Sequence, residues 1–98
     1  MPYAIMLWDG PDGAALRQEH LAAHLAYVEA NLSRYLVAGP FREGDAFRGS
    51  LLVLDAGTEA EARALLEGDP YWTAGVWTEA RVEPFRPVAG SWVGGKTW

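Results

Sequence analysis

The sequence predicts an α+β domain of ferredoxin-like βαββαβ type: a four-stranded antiparallel sheet with two helices on one face. Three observations lead there. Two segments carry helix signals, one of them free of Gly and Pro over some twenty residues. Four apolar or alternating runs of strand length stand around them. Turn residues cluster at the joints between runs.

The elements follow in order. Tyr3-Ala4-Ile5-Met6-Leu7-Trp8 is short and nearly all apolar, and it stops at Asp9-Gly10-Pro11-Asp12-Gly13, so it reads as a strand buried on both faces. Ala14 to about Arg34 reads as a helix. Its Leu21, Leu25, Val28 and Leu32 recur at helical spacing and form one apolar stripe, expected to face the core. Tyr35-Leu36-Val37-Ala38 reads as a short strand running into a Gly39-Pro40 turn, with Arg42 to Asp45 as a polar loop. Gly49 to Asp55 is the next strand, so the two are expected to pair as an antiparallel hairpin with a loop longer than a tight turn. Thr58 and Glu61 have the spacing of a capping box, and Gly68 stands where a helix-ending glycine belongs. Asp69-Pro70 reads as an N-cap and first helical residue for a short turn that ends at Gly75. Trp77 to Phe85 mostly alternates apolar with polar, as a half-exposed strand does. No internal repeat or linker interrupts residues 1–85.

The chain has 98 residues, the length of one domain, and can bury about two thirds of the surface its unfolded form exposes. Half of the residues are apolar, which excludes a disordered body. Five are Trp, more than so small a core needs. Cysteine is absent, so disulfides, thiolate catalysis and Cys-based zinc sites are excluded. A net charge of −5 argues against a nucleic-acid partner. No run approaches a membrane span, and the first ten residues lack the basic region of a signal peptide, so the expected location is cytoplasmic with no membrane partner. The first and third strands are apolar at nearly every position, so the second sheet face needs a cover. Too few residues remain to supply one, and the expected cover is a second copy: a homodimer with sheets packed face to face.

The chain resembles the YCII-related (YciI-like) family, small ferredoxin-like proteins that form dimeric α+β barrels. The resemblance rests on His24-Leu25-Ala26-Tyr27-Val28-Glu29-Ala30, Leu36-Val37-Ala38-Gly39-Pro40, Gly49-Ser50-Leu51-Leu52-Val53, Asp69-Pro70-Tyr71, Ala74-Gly75-Val76 and Val82-Glu83-Pro84-Phe85-Arg86, in order. It implies a domain over residues 1–88, followed by a Gly- and Trp-bearing tail over 89–98. Since exposed Trp is disfavoured, that tail is expected to dock on the domain or on the partner subunit. The resemblance also implies a site made of a His on the first helix and the Asp of the Asp-Pro-Tyr motif, here His24 and Asp69. The family often carries Arg three residues before that His, where this chain has Leu21. Most members have no assigned activity. A few relatives act in breakdown of chlorinated aromatics, and the muconolactone-isomerase group shares the barrel.

On residues alone, His24 lies roughly 60° from the middle of the leucine stripe at about 100° per residue. It is either a border histidine satisfied by a carbonyl or an acid/base; the resemblance favours the second. Asp69 is a helix cap, a partner that orients His24, or both. His20 shares a helix face with His24, and Asp9, Asp12 or Asp69 would have to complete a metal set, but the metalloprotease Glu is missing and no metal is expected. Ser50 begins a strand or donates into a pocket. Tyr71 and Trp72 pack in the core or line a pocket for a ring-shaped ligand. No elbow serine, phosphate loop or dinucleotide fingerprint is present, so no cofactor is expected. The resulting expectation is a homodimeric enzyme in which His24 and Asp69 perform a proton shift or elimination, of isomerase or lyase type, on a small apolar or aromatic-derived molecule; Ser50, Tyr71 and Trp72 would bind substrate. The alternative is a non-catalytic binding or accessory domain with a structural His–Asp pair.

Overall fold

The computed structural model describes residues 2–98. The chain runs β1 (Pro2–Asp9), α1 (Gly13–Ala30), β2 (Tyr35–Glu43), β3 (Ala46–Asp55), α2 (Glu59–Glu67), α3 (Pro70–Ala74) and β4 (Trp77–Pro84). The four strands form one sheet in the order β2-β3-β1-β4, and every neighbouring pair is antiparallel. This is the ferredoxin-like βαββαβ fold, with α3 added between the second helix and the last strand.

Strand alternation sorts the sheet into two faces. Tyr3, Ile5 and Leu7 of β1 sit opposite Leu54, Leu52 and Ser50 of β3. All six are buried on the helix side, with Leu66, Tyr71, Val76 and Trp77 completing the core. Ala4, Met6 and Trp8 point the other way, opposite Val53, Leu51 and Gly49. Within one chain β1 is therefore fully buried only at alternate positions, and its second set is half-buried. The expected burial on both faces is not reached in a single chain.

Two local expectations change. The strand before Gly39-Pro40 does not stop there. β2 continues to Glu43, and the hairpin closes through Gly44-Asp45 alone, a two-residue turn. Gly44 takes φ +62°, at the position that a type II′ turn reserves for glycine. Pro40 is tolerated because β2 is an edge strand. Gly68 is the second change. Its φ is −77°, so it is not a left-handed cap. A Cβ there would meet the Tyr27 hydroxyl at 2.5 Å, so close packing by α1 selects this glycine. The left-handed cap falls instead on Gly75, at the end of α3. Thr58 does cap α2, its hydroxyl accepting from the Glu61 amide at 3.2 Å.

The largest correction concerns α1. The helix ends at Ala30, and a 3-10 turn covers Leu32–Arg34. The leucine stripe does not face the core: Leu21, Leu25 and Leu32 are 47%, 54% and 62% exposed. The face turned inward carries Leu16, Arg17, His20, His24, Tyr27 and Val28. Its polar groups find specific partners: Arg17 meets Asp9, His24 meets Asp69, and the Tyr27 hydroxyl donates to the Leu65 carbonyl at 2.6 Å. A helix that buries paired polar groups can leave its leucines for another use.

The tail forms a small hairpin, β5 (Ala89–Gly90) with β6 (Gly95–Lys96), around a 3-10 turn at Ser91–Val93. It lies beside the outer sheet face. Together with Leu36, Val37, Leu51 and Val53 it bounds an open trough of about 720 Å³. Trp92 and Trp98 remain 82% and 75% exposed in the single chain. Among the described residues, no helix is long and apolar enough to cross a membrane.

Candidate functional site

His24 and Asp69 are 45 residues apart and meet where α1 crosses the start of α3. Asp69 is the N-cap of α3 and accepts from the Tyr71 amide at 2.9 Å, with Pro70 at the first helical position. Local sequence thus sets this carboxylate at the head of α3. Both of its oxygens lie 2.9 Å from His24 Nδ1. Capping and orienting are one arrangement here, as the two readings of Asp69 allowed. A carboxylate accepts only, so Nδ1 carries the hydrogen and donates. Nε2 is left as the basic nitrogen, and it has no protein partner among the described residues.

The Tyr71 ring lies flat against the imidazole, with centroids 3.8 Å apart and planes 2° from parallel. It is held from below by the edge of Trp77 at 5.7 Å. The Tyr71 hydroxyl donates to the Arg17 carbonyl at 2.9 Å. Burial raises the pKa of this phenol; Arg17 works against the rise, while Asp69 and Asp9 add to it. Tyr71 therefore stays a neutral donor across the ordinary pH range. Clamped by Asp69 and Tyr71, His24 keeps 18% of its side chain exposed.

That exposed part opens on a cleft of about 480 Å³ between α1 and the β2–β3 hairpin. Leu21 and Leu25 line it together with Pro40, Ala46 and Phe47. Leu21 and Leu25, read as core, are thus part of a cleft wall. Arg17, Gln18, His24, Asp45 and Tyr71 are the polar lining. The hairpin supplies the far wall because β2 runs four residues past Gly39 and the turn is tight.

Arg17 is the residue that sequence reasoning passed over as a polar flank. It is nearly buried, and its Nε and Nη2 grip Asp9 at 2.7 and 2.9 Å. Nη2 also reaches the Gly49 carbonyl at 3.0 Å and the Ser50 hydroxyl at 3.1 Å. Two signals for it were present. Arg17 is seven residues before His24, on the same helix face. Asp9 continues the inward series of Tyr3, Ile5 and Leu7. Ser50 holds the arginine, and Trp72 packs half-buried against the core; neither is among the residues lining the cleft. Tyr71 is both core and lining. His20 is 35% exposed, at the border of the inward face, with Nε2 3.7 Å from Glu19. Among the described residues no group of three His, Asp or Glu gathers as a metal set.

The YCII-related domain matches residues 1–86. The chain belongs to this family. It is 32% identical to Protein YciI of Escherichia coli O6:H1, over 90% of this chain and 99% of that protein. Protein YciI of Shigella flexneri matches to the same extent. Among solved structures, the chain is similar to the 5-chloro-2-hydroxyhydroquinone dehydrochlorinase of Burkholderia phenoliruptrix, solved in complex with 2,5-dihydroxybenzoquinone. The TM-score is 0.81 at 29% identity, covering 93% of this chain and 97% of the other.

Proposed function

We propose that this YCII-related protein is a homodimeric enzyme with one acid/base site per subunit. It carries out a cofactor-independent proton shift or elimination on a small aromatic-derived molecule. One observation carries the reading: a His24 ring pinned through Nδ1 to a buried carboxylate, stacked on Tyr71, and left with Nε2 on the side of an open apolar cleft. Nε2 takes a proton from carbon or from a ring hydroxyl, whose O–H pair then becomes a carbonyl as the ring π pair shifts, and Asp69 stabilises the imidazolium that results, as the orienting carboxylate of a triad does. The electron pair left on carbon forms a double bond as a leaving group departs from the next carbon, or waits for the proton to return elsewhere. Among the described residues, no Cys, Ser, Thr or Lys lines the cleft, which favours proton chemistry over a covalent intermediate.

The structural neighbour's elimination of chloride from a hydroxylated ring supports this class of reaction. The pairing distance supports catalysis over a binding-only domain, because it is coupled to an open cleft rather than a filled one. For the dimer, the support is the half-covered outer face of β1 and β3 and the exposed Trp92 beside it.

The test is chloride release from 5-chloro-2-hydroxyhydroquinone and related halogenated hydroquinones. His24→Ala should lose at least about 100-fold in kcat, the usual share of a positioned base, while its circular dichroism stays native. A His24→Ala protein with undiminished turnover sinks the proposal.

A further inference from the structure

We propose that Arg17 is the electrophile of this site: its Nη1 edge holds a carbonyl oxygen of the substrate and receives the negative charge that gathers there when His24 removes a proton. The inference rests on the reading of His24 as the base. It names the substrate class as a small carbonyl compound, quinoid or enolisable, that enters the cleft neutral.

The guanidinium is fixed on two of its three nitrogens. Nε and Nη2 hold Asp9, and Nη2 also reaches Gly49 and Ser50. Nη1 has no hydrogen-bond partner among the described residues. The side chain is only 11% exposed, and Nη1 is not among its shielded atoms, so the unpaired nitrogen is open to an incoming group. Arg17 lines the same cleft as His24. Its guanidinium carbon stands 5.5 Å from the ring centres of both Phe47 and Tyr71, between the cleft's two walls.

Tyr71 ties the two groups together. Its ring carries His24, and its hydroxyl is bonded to the Arg17 backbone. Seven residues of α1 separate them, about 10 Å of helix rise, a gap that a small ring and its oxygen substituents span. A buried ion pair is weak evidence for stability alone, since its desolvation cost offsets most of the attraction. As a preorganised donor it makes better sense. Asp9 holds the fork in place before any charge develops, which is the condition for an effective oxyanion site.

The carboxylates decide between a charged and a neutral ground state. Asp9, Asp45 and Asp69 all lie at or behind this cleft. Among the described residues lining the cleft, the one permanent cation is Arg17. A preformed carboxylate would meet repulsion, whereas a neutral carbonyl meets it only weakly. Its charge then arises on the oxygen beside Arg17, so the interaction is stronger in the transition state than in the ground state. The step balances. His24 Nε2 takes the proton, and the carbon–hydrogen pair becomes the new carbon–carbon π bond. The carbonyl π pair moves to oxygen, which Nη1 meets with its hydrogens. The carbonyl re-forms as the leaving group departs with its electron pair, or as His24 returns the proton to another carbon.

The probe is 4-nitrophenol, which binds as a neutral phenol and turns yellow on ionising. Its colour is titrated with pH in the presence of saturating wild-type protein, Arg17→Met and His24→Ala. The bound dye should ionise about one pH unit lower on the wild type than on Arg17→Met, the tenfold effect of one charge-assisted hydrogen bond. His24→Ala should keep that shift. Because Arg17→Met strands the Asp9 charge, Asp9→Asn/Arg17→Met, which removes both charges, carries the comparison if the single variant unfolds. A bound dye that titrates alike on wild type and on the Arg17 variants overturns the proposal, as does wild type that fails to bind the dye at millimolar concentration. Full turnover by His24→Ala would sink the base assignment without moving the dye midpoint, so the two failures are separate.

Discussion

Asp69 carries two jobs in one carboxylate, and substitution can divide them. Asn caps helices about as well as Asp, whereas Ala loses about 1 kcal/mol at such a position. Asp69→Asn should therefore keep most of the stability yet lose the charge that orients and supports His24, with kcat down on the order of 10²–10⁴-fold. Asp69→Ala should lose activity to the same degree and fold less stably, by about 1 kcal/mol or more. Urea midpoints beside turnover separate the two effects; an active Asp69→Asn would reduce Asp69 to a cap. Tyr35 makes a different point. Its hydroxyl is buried with no partner among the described residues. Burial raises its pKa well above the usual tyrosine value, and the charges of Asp69 and, to a smaller degree, Tyr27 raise it further. Tyr35→Phe removes a polar atom that nothing satisfies, so it should leave stability unchanged or raise it by about 1 kcal/mol at neutral pH. A loss of more than that in thermal denaturation would mean that the hydroxyl has a partner. The pairing of Asp69 with His24 could not be read from local sequence. The cap of Asp69 was legible from Pro70 beside it; its contact with His24 came only from the family resemblance.

Among the elements, α1 teaches the most. Leu21, Leu25, Val28 and Leu32 have the spacing of a core face, and the residues alone make no distinction between a core and a cleft wall. What turns the helix is the set of long-range partners offered to Arg17, His24 and Tyr27. Rotating α1 to bury the leucines would strand Asp9 and Asp69 without their cations or donors, at the cost of unpaired buried charge. The consequence is measurable. Leu25→Ala should cost less than about 1 kcal/mol, not the 2–5 kcal/mol of a buried leucine. It should, however, weaken binding of any ring-shaped ligand. A large loss of stability would restore the core assignment. Thr58 and Glu61, by contrast, lie three residues apart, and their cap was read correctly because it is complete within one turn. The β2–β3 hairpin was misjudged because Gly39-Pro40 is a turn signal that an edge strand overrides.

On the scale of the whole molecule, the outer sheet face is the open matter. Met6, Trp8, Val37, Phe41, Leu51 and Val53 share it by register, and the rings of Trp8 and Phe41 lie 6.3 Å apart. Light scattering should give twice the chain mass at micromolar concentration. Met6→Glu, which puts a charge at the middle of that face, should shift the protein toward the monomer. A folded wild-type monomer would remove the dimer from the proposal. Alkaline stability is a property of the assembled core as well. Tyr27, Tyr35 and Tyr71 all have raised pKa values, burial being the largest cause in each. The native state thus holds protons that the unfolded chain releases near pH 10, so stability is full below about pH 10 and falls as pH rises above it. Urea midpoints measured from pH 8 to pH 11 should show that decline, and Tyr35→Phe should flatten it.

Element order and the Thr58 and Asp69 caps depend on neighbours within a turn or a pleat, so residue types and spacing were enough to read them. The rotation of α1, the Arg17–Asp9 fork, the meeting of His24 with Asp69 and the cleft under the β2–β3 hairpin join groups that are far apart in the chain. Their energies come from desolvating and pairing those groups together, and such terms exist only once the sheet and helices have packed.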